Sequence, residues 1–177
     1  MSRPPTGSNA RPPPPARTAP HTPAHQADHL LYAAETGGER PLLAGDAAIG
    51  PFRPAVSHDG PNDGHRAAFE AFLTGLDRLD ALDPTPDRVY PDHGPVHDDL
   101  PGVVERHRGS LRRRLDGVRE QVANGLRTVP GIAMAIAGDD RSVRYLLPEA
   151  MSAVAHLEAT GDLVATVEDG VRCYDLA

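Results

Sequence analysis

No lysine occurs in this chain. All 18 basic positions are arginine, set against 25 acids, for a formal charge of −7 and a pI near 5.6. An acidic chain repels phosphate, so nucleic acid is a poor default partner. Cysteine is almost as scarce. Cys173 stands alone, which excludes an intrachain disulfide and leads to the expectation of a reduced, cytoplasmic setting. Placed near the end of a predicted strand, Cys173 reads as a small, half-buried hydrophobe. Aromatic residues make up 4% of the chain and apolar residues 39%, while 19 prolines and 17 glycines add content that builds no core. The core is therefore thin. No stretch is apolar and long enough to span a bilayer, and the first residues lack a signal peptide's apolar run, so no membrane partner is expected. There is no phosphate-cradling glycine loop, and no serine sits in a strand–turn–helix elbow.

What the chain does have is organised in three parts. Residues 1–20 are rich in proline, arginine, serine and threonine, with an unbroken run from Pro12 to Pro15, and read as a disordered or polyproline tail. Residues 21–99 carry two short strands, His29–Ala34 and Pro41–Ala44, joined by a Gly37-Gly38 turn. A long loop follows, then a helix from about His65 to Leu82 with Phe69, Phe72, Leu73, Leu76 and Leu79 inward and Asp63 as its N-cap. A third strand is Arg88-Val89-Tyr90. Residues 100–177 read as helix, helix, helix, hairpin. The first helix runs from Leu100 to Ala123 and ends at Asn124-Gly125, the second is capped by Thr128, and the third opens at Pro148 and ends at Gly161. The hairpin, Leu163–Val167 with Val171–Leu176, turns at Asp169-Gly170. That order is the order of a winged helix.

Three short stretches carry chemistry: His21-Thr22-Pro23-Ala24-His25, Gly45-Asp46, and Tyr90-Pro91-Asp92-His93-Gly94. Neutral imidazole and carboxylate are suitable zinc ligands, and a carboxylate can bridge two ions. Two ions sharing an aspartate lower the pKa of the water between them.

In this order the stretches resemble the second half of the site in metallo-β-lactamase-fold hydrolases. Asp87-Arg88-Val89-Tyr90-Pro91-Asp92-His93-Gly94-Pro95 is similar to that family's strand and "PGHGP" turn, His21–His25 to its "HTPGH", and Gly45-Asp46 to its "GD". The likeness covers about residues 20–96. The tail, with Met151 to Gly161 and then a hairpin, resembles the branch that appends a winged helix. The resemblance implies an α/β (α+β) fold, a partial αββα sandwich followed by a small winged-helix domain. It implies His25 as a terminal ligand of one zinc, Asp46 as the bridge and His93 as a terminal ligand of the second. His21 matches a family position that is not a ligand, and Asp28 and His29 match a supporting pair. In intact relatives, metal-bound hydroxide attacks an ester, thioester or phosphodiester of a small molecule or nucleic acid.

The departures matter as much. The family's "HxHxDH" belongs upstream of His25, where only the proline-rich tail stands. Two imidazoles and one shared carboxylate give each ion two protein ligands, where a catalytic zinc has three. Zinc binding is expected to be weak or absent. The chain is then a remnant, one half of a split protein, or a chain whose first half is encoded upstream. Ala24 and Asp92 replace glycines of the pattern, and strain is expected if either position needs a positive φ. Asp92 reads as a solvated turn residue rather than an extra ligand. The alternative reading is a non-enzymatic winged-helix module binding a protein or RNA. Against it, residues 101–177 hold ten arginines and eleven acids, and the predicted third helix carries Glu149 and Glu158 but no arginine. Arg112-Arg113-Arg114, with Arg106, Arg108 and Arg119, is the one dense basic cluster and reads first as a solvated helix face. His107, on an apolar stripe, reads as a satisfied core histidine, and His58 and His65 as surface histidines. If the first half of the sandwich is missing, the remaining sheet keeps an uncovered face.

Overall fold

Alternation dictates the small sheet. In a computed structural model, which describes residues 17–18, 22, 29–49 and 62–177, Pro41–Gly45 (β3) buries Leu42 and Ala44 while turning Leu43 outward. Tyr32–Ala34 (β2) pairs antiparallel with β3, and Arg17–Thr18 (β1) pairs antiparallel with β2. β1 lies inside the stretch read as a disordered tail; the rest of that tail is outside the described residues. The Gly37-Gly38 turn joins β2 to β3 as expected, with φ of 60° and 85°, values that suit glycine in a tight hairpin.

Arg88–Pro91 (β4) runs parallel to β3, which requires a crossover. The crossover is helix Asn62–Asp80 (α1), which starts and ends slightly earlier than its periodicity predicts, so that Asp63 lies in the first turn and not at the cap. Its apolar positions Ala68, Phe69, Phe72, Leu76 and Leu79 are all buried. The sheet order is β1-β2-β3-β4.

The helical part follows the sequence closely at its start. Helix Leu100–Ala123 (α2) is capped by Asp99, whose side chain accepts from Gly102 N–H, and helix Val129–Ala137 (α3) by Thr128. The next helix, Asp140–Ala159 (α4), differs: it starts eight residues before the expected Pro148, which lies in its interior. Asp139 is the stronger start signal, because its carboxylate takes both the Ser142 N–H at 2.9 Å and the Ser142 hydroxyl at 2.8 Å. Burial of Ala150, Ala153, Val154 and Leu157 below Pro148 offsets the helix bond that proline cannot make. Strands Leu163–Glu168 (β5) and Val171–Leu176 (β6) close the chain as an antiparallel hairpin, with Asp169 and Gly170 both at positive φ.

One buried cluster runs through the whole molecule, from Leu42 and Val89 in the sheet through Phe72 and Leu76 of α1 to Leu111 of α2, Leu157 of α4 and Tyr174 of β6. α1 is fixed to α4 by more than apolar contact. Ser152 Oγ, fully buried, accepts from Phe69 N–H at 2.6 Å, and Arg66 reaches Glu158 and the Tyr174 hydroxyl. Among the described residues no helix is long and apolar enough to cross a membrane.

Candidate metal centre

β3 and β4 lie side by side and point the same way, so their carboxyl ends meet at one edge of the sheet. In open sheets with parallel strands, such ends are where ligands bind. Gly45-Asp46 leaves β3 there, and Asp92-His93 leaves β4. The two exits are tied together, because Asp92 N–H donates to Gly45 O at 3.0 Å. The β4 exit is also folded back on itself: His97 and Val89 exchange both backbone hydrogen bonds, at 2.7 and 3.1 Å. His93 therefore stands on a short, closed turn.

The result is a facing pair. His93 Nε2 lies 3.7 Å from Asp46 Oδ1. The Asp46 oxygen is buried and accepts no hydrogen bond from the described residues, whereas the His93 side chain is 72% exposed. A buried carboxylate oxygen without a donor, aimed at an exposed imidazole, suits a cation between or beside them. This much fits the expected zinc chemistry. It is also as much as the described residues give: no group of three or more histidine, cysteine or acidic side chains comes together among them. His25, like His21, Ala24, Asp28 and His58, falls outside the described residues, as does the side chain of His65.

The supporting residues are clearer than the ligands. His29 Nε2 accepts the Asp46 N–H at 3.3 Å, the supporting role expected for it. Gly45 makes this contact possible. Its φ is +52°, and a Cβ there would run into the His29 ring. Thr22, the one described residue of the His21–His25 stretch, is fully buried, and its N–H donates to His29 O at 2.8 Å. Asp92 needs no positive φ, so its replacement of glycine costs no backbone strain; Gly94, at φ 95°, holds the demanding position of that turn. Asp92 is exposed, as expected of a turn residue.

His107 behaves as a core histidine. It is buried, donates from Nε2 to Ile49 O at 3.0 Å, and is held below the ordinary histidine pKa, chiefly by burial. His97, which sequence reasoning passed over, makes the matching contact one residue earlier, with Nε2 3.1 Å from Ala48 O. Two histidines from different elements thus hold the two carbonyls that closely follow Asp46. The signal for His97 was its position just after Gly94-Pro95, where a chain reversing on β4 must find a partner.

The arginines of α2 are mostly neutralised. Arg106 pairs with Asp99, Arg108 with Asp77, Arg112 with Glu105, Arg114 with Glu149, and Arg119 with Asp116 and Asp162. Arg114 is buried, not solvated as the cluster suggested: it sits at a helix–helix contact with a carboxylate to meet it.

No protein-family model matches the chain, and no curated protein does. Solved structures do. A beta-lactamase domain protein from Burkholderia ambifaria superposes with a TM-score of 0.72 at 21% identity, over 92% of this chain and 48% of its own. A metallo-beta-lactamase family protein from Thermus thermophilus superposes with a TM-score of 0.73 at 21% identity, over 91% of this chain and 49% of its own. The chain therefore has the fold of metallo-β-lactamase-family structures, and it spans about half the length of the structures it matches.

Proposed function

We propose that this chain is the second half of a metallo-β-lactamase-type hydrolase, carrying Asp46 and His93 as two zinc ligands and His25 as a third. The observation that supports it most is the facing of Asp46 and His93 at the carboxyl ends of two adjacent parallel strands, in a fold shared with proteins of that name. A zinc held there would supply an activated hydroxide and polarise an ester, thioester or phosphodiester. The chain's own residues orient the ligands: His29 fixes the Asp46 backbone, Gly94 shapes the His93 turn, and His97 with His107 pins the loop after Asp46.

Three donors do not complete a two-ion cage, so hydrolysis needs donors beyond these three. Assays of the purified chain on thioester, lactam and phosphodiester substrates with added zinc are expected to give no turnover above zinc alone. Saturable turnover abolished by Asp46→Asn would overturn this reading. The order helix, helix, helix, hairpin keeps a winged-helix module as the second reading, but the paired arginines of α2 leave little positive charge to hold RNA.

A further inference from the structure

The β5–β6 hairpin leaves one of its edges open, and the register shows which backbone groups point there. Leu163 stands opposite Leu176, and Ala177 N–H donates to Asp162 O at 3.1 Å, so the pair at the open end of the hairpin is bonded. Bonded and unbonded pairs alternate along an antiparallel ladder. Val164, Thr166 and Glu168 therefore bond β6, while the N–H and C=O groups of Ala165 and Val167 point away from it. Tyr174, opposite Ala165, obeys the same alternation on the other side: its N–H turns outward and donates to Arg127 O at 2.8 Å. β5 has β6 alone as a neighbouring strand, and among the described residues no backbone group bonds Ala165 or Val167 from outside. The strand Leu163–Glu168 holds no proline and no basic residue, two common guards of an exposed edge. Its one charge, Glu168, stands at the end and is met by Arg127 at 2.7 Å. Val164 and Val167 are 47% and 68% exposed.

We propose that this edge pairs with the same edge of a second copy of the chain, antiparallel about a two-fold axis at Thr166. Ala165 of each copy then exchanges both hydrogen bonds with Val167 of the other, the two Thr166 side chains meet, and Glu168 lies opposite Val164. The outward groups match themselves in this register and no acid faces an acid, which favours a second copy over an unrelated strand. The contact is small, so the dimer is weak and concentration-dependent. This does not depend on the metal-site reading. The test is amide hydrogen exchange of the full chain, followed by NMR at about 10 µM and about 1 mM. The Val164 and Thr166 amides are expected to be protected by β6 at both concentrations. Those of Ala165 and Val167 are expected to exchange fast when dilute and at least about threefold more slowly when concentrated. Association through any other face would slow neither amide. Val167→Pro removes an outward N–H and no bond to β6, and is expected to make Ala165 exchange independent of concentration. Val167→Lys guards the edge with a charge at an exposed position and is expected to do the same. Concentration-independent exchange at Ala165 and Val167 in the parent, or undiminished slowing at Ala165 in either variant, would overturn the proposal. Should Val167→Pro fail to fold, Val167→Lys decides alone.

Discussion

Gly45 shows how much of the candidate site rests on one small residue. Its left-handed φ and lack of a side chain let the His29 ring close on the Asp46 N–H. Gly45→Ala is expected to cost about 1–3 kcal/mol, the strain of a non-glycine residue in this region, before any displacement of His29 is counted. Equilibrium unfolding in urea measures it, and a loss near zero would show that the turn is free to relax. At this scale the sequence was most legible for residues whose chemistry is local. Gly37-Gly38, Asp169-Gly170 and Thr128 declare their turns and caps through φ or a hydroxyl. Asp46 and His93 were legible as a pair because their motifs end predicted strands. His97 was not, since its partner, the Ala48 carbonyl, is distant in sequence and carries no side-chain signature.

At the scale of elements, α2 does two tasks. Its apolar stripe joins the core, and His107 on that stripe reaches across to hold Ile49. Burial keeps His107 neutral, its pKa below that of a free histidine. The unfolded chain therefore binds a proton that the folded chain refuses. The stabilising contribution is complete above the free-histidine value, about 6.5, and is lost as the pH falls through it toward the folded value. Melting temperatures measured from pH 8 to pH 5 are expected to drop below about pH 6.5, and His107→Gln is expected to flatten that drop. An equal drop in the variant would place the titration elsewhere. α4 marks where periodicity misled: Pro148 looked like a helix start, yet Asp139 caps the helix well before it, and tertiary packing carries the proline inside.

For the molecule as a whole, the notable surface is the sheet face turned away from the buried cluster. Tyr32, Leu43 and Tyr90 are direct cross-strand neighbours, and they are 51%, 53% and 40% exposed. An uncovered face of this kind was expected from the sequence, because the resemblance reached only the second half of a two-sheet fold. This chain spans about half the length of the structures it matches. An exposed apolar stripe favours association. The purified chain is expected to self-associate with rising concentration in sedimentation experiments, and Leu43→Glu, which lies on this face and not in the core, to reduce that while leaving circular dichroism unchanged. A monomeric parent at high concentration would contradict it. The fold was legible to this extent because the β3–α1–β4 unit is defined by local patterns. The ligand count depends on partners that no pattern in the chain supplies.

The central claim is that Asp46 and His93, with His25, make an incomplete zinc site, and metal content tests it most directly. The purified chain would be loaded with zinc, dialysed against a weak chelator and measured by plasma mass spectrometry beside Asp46→Asn. The account predicts less than one retained ion per chain, and none in the variant. Two ions retained through dialysis, or retention that Asp46→Asn leaves unchanged, would contradict it.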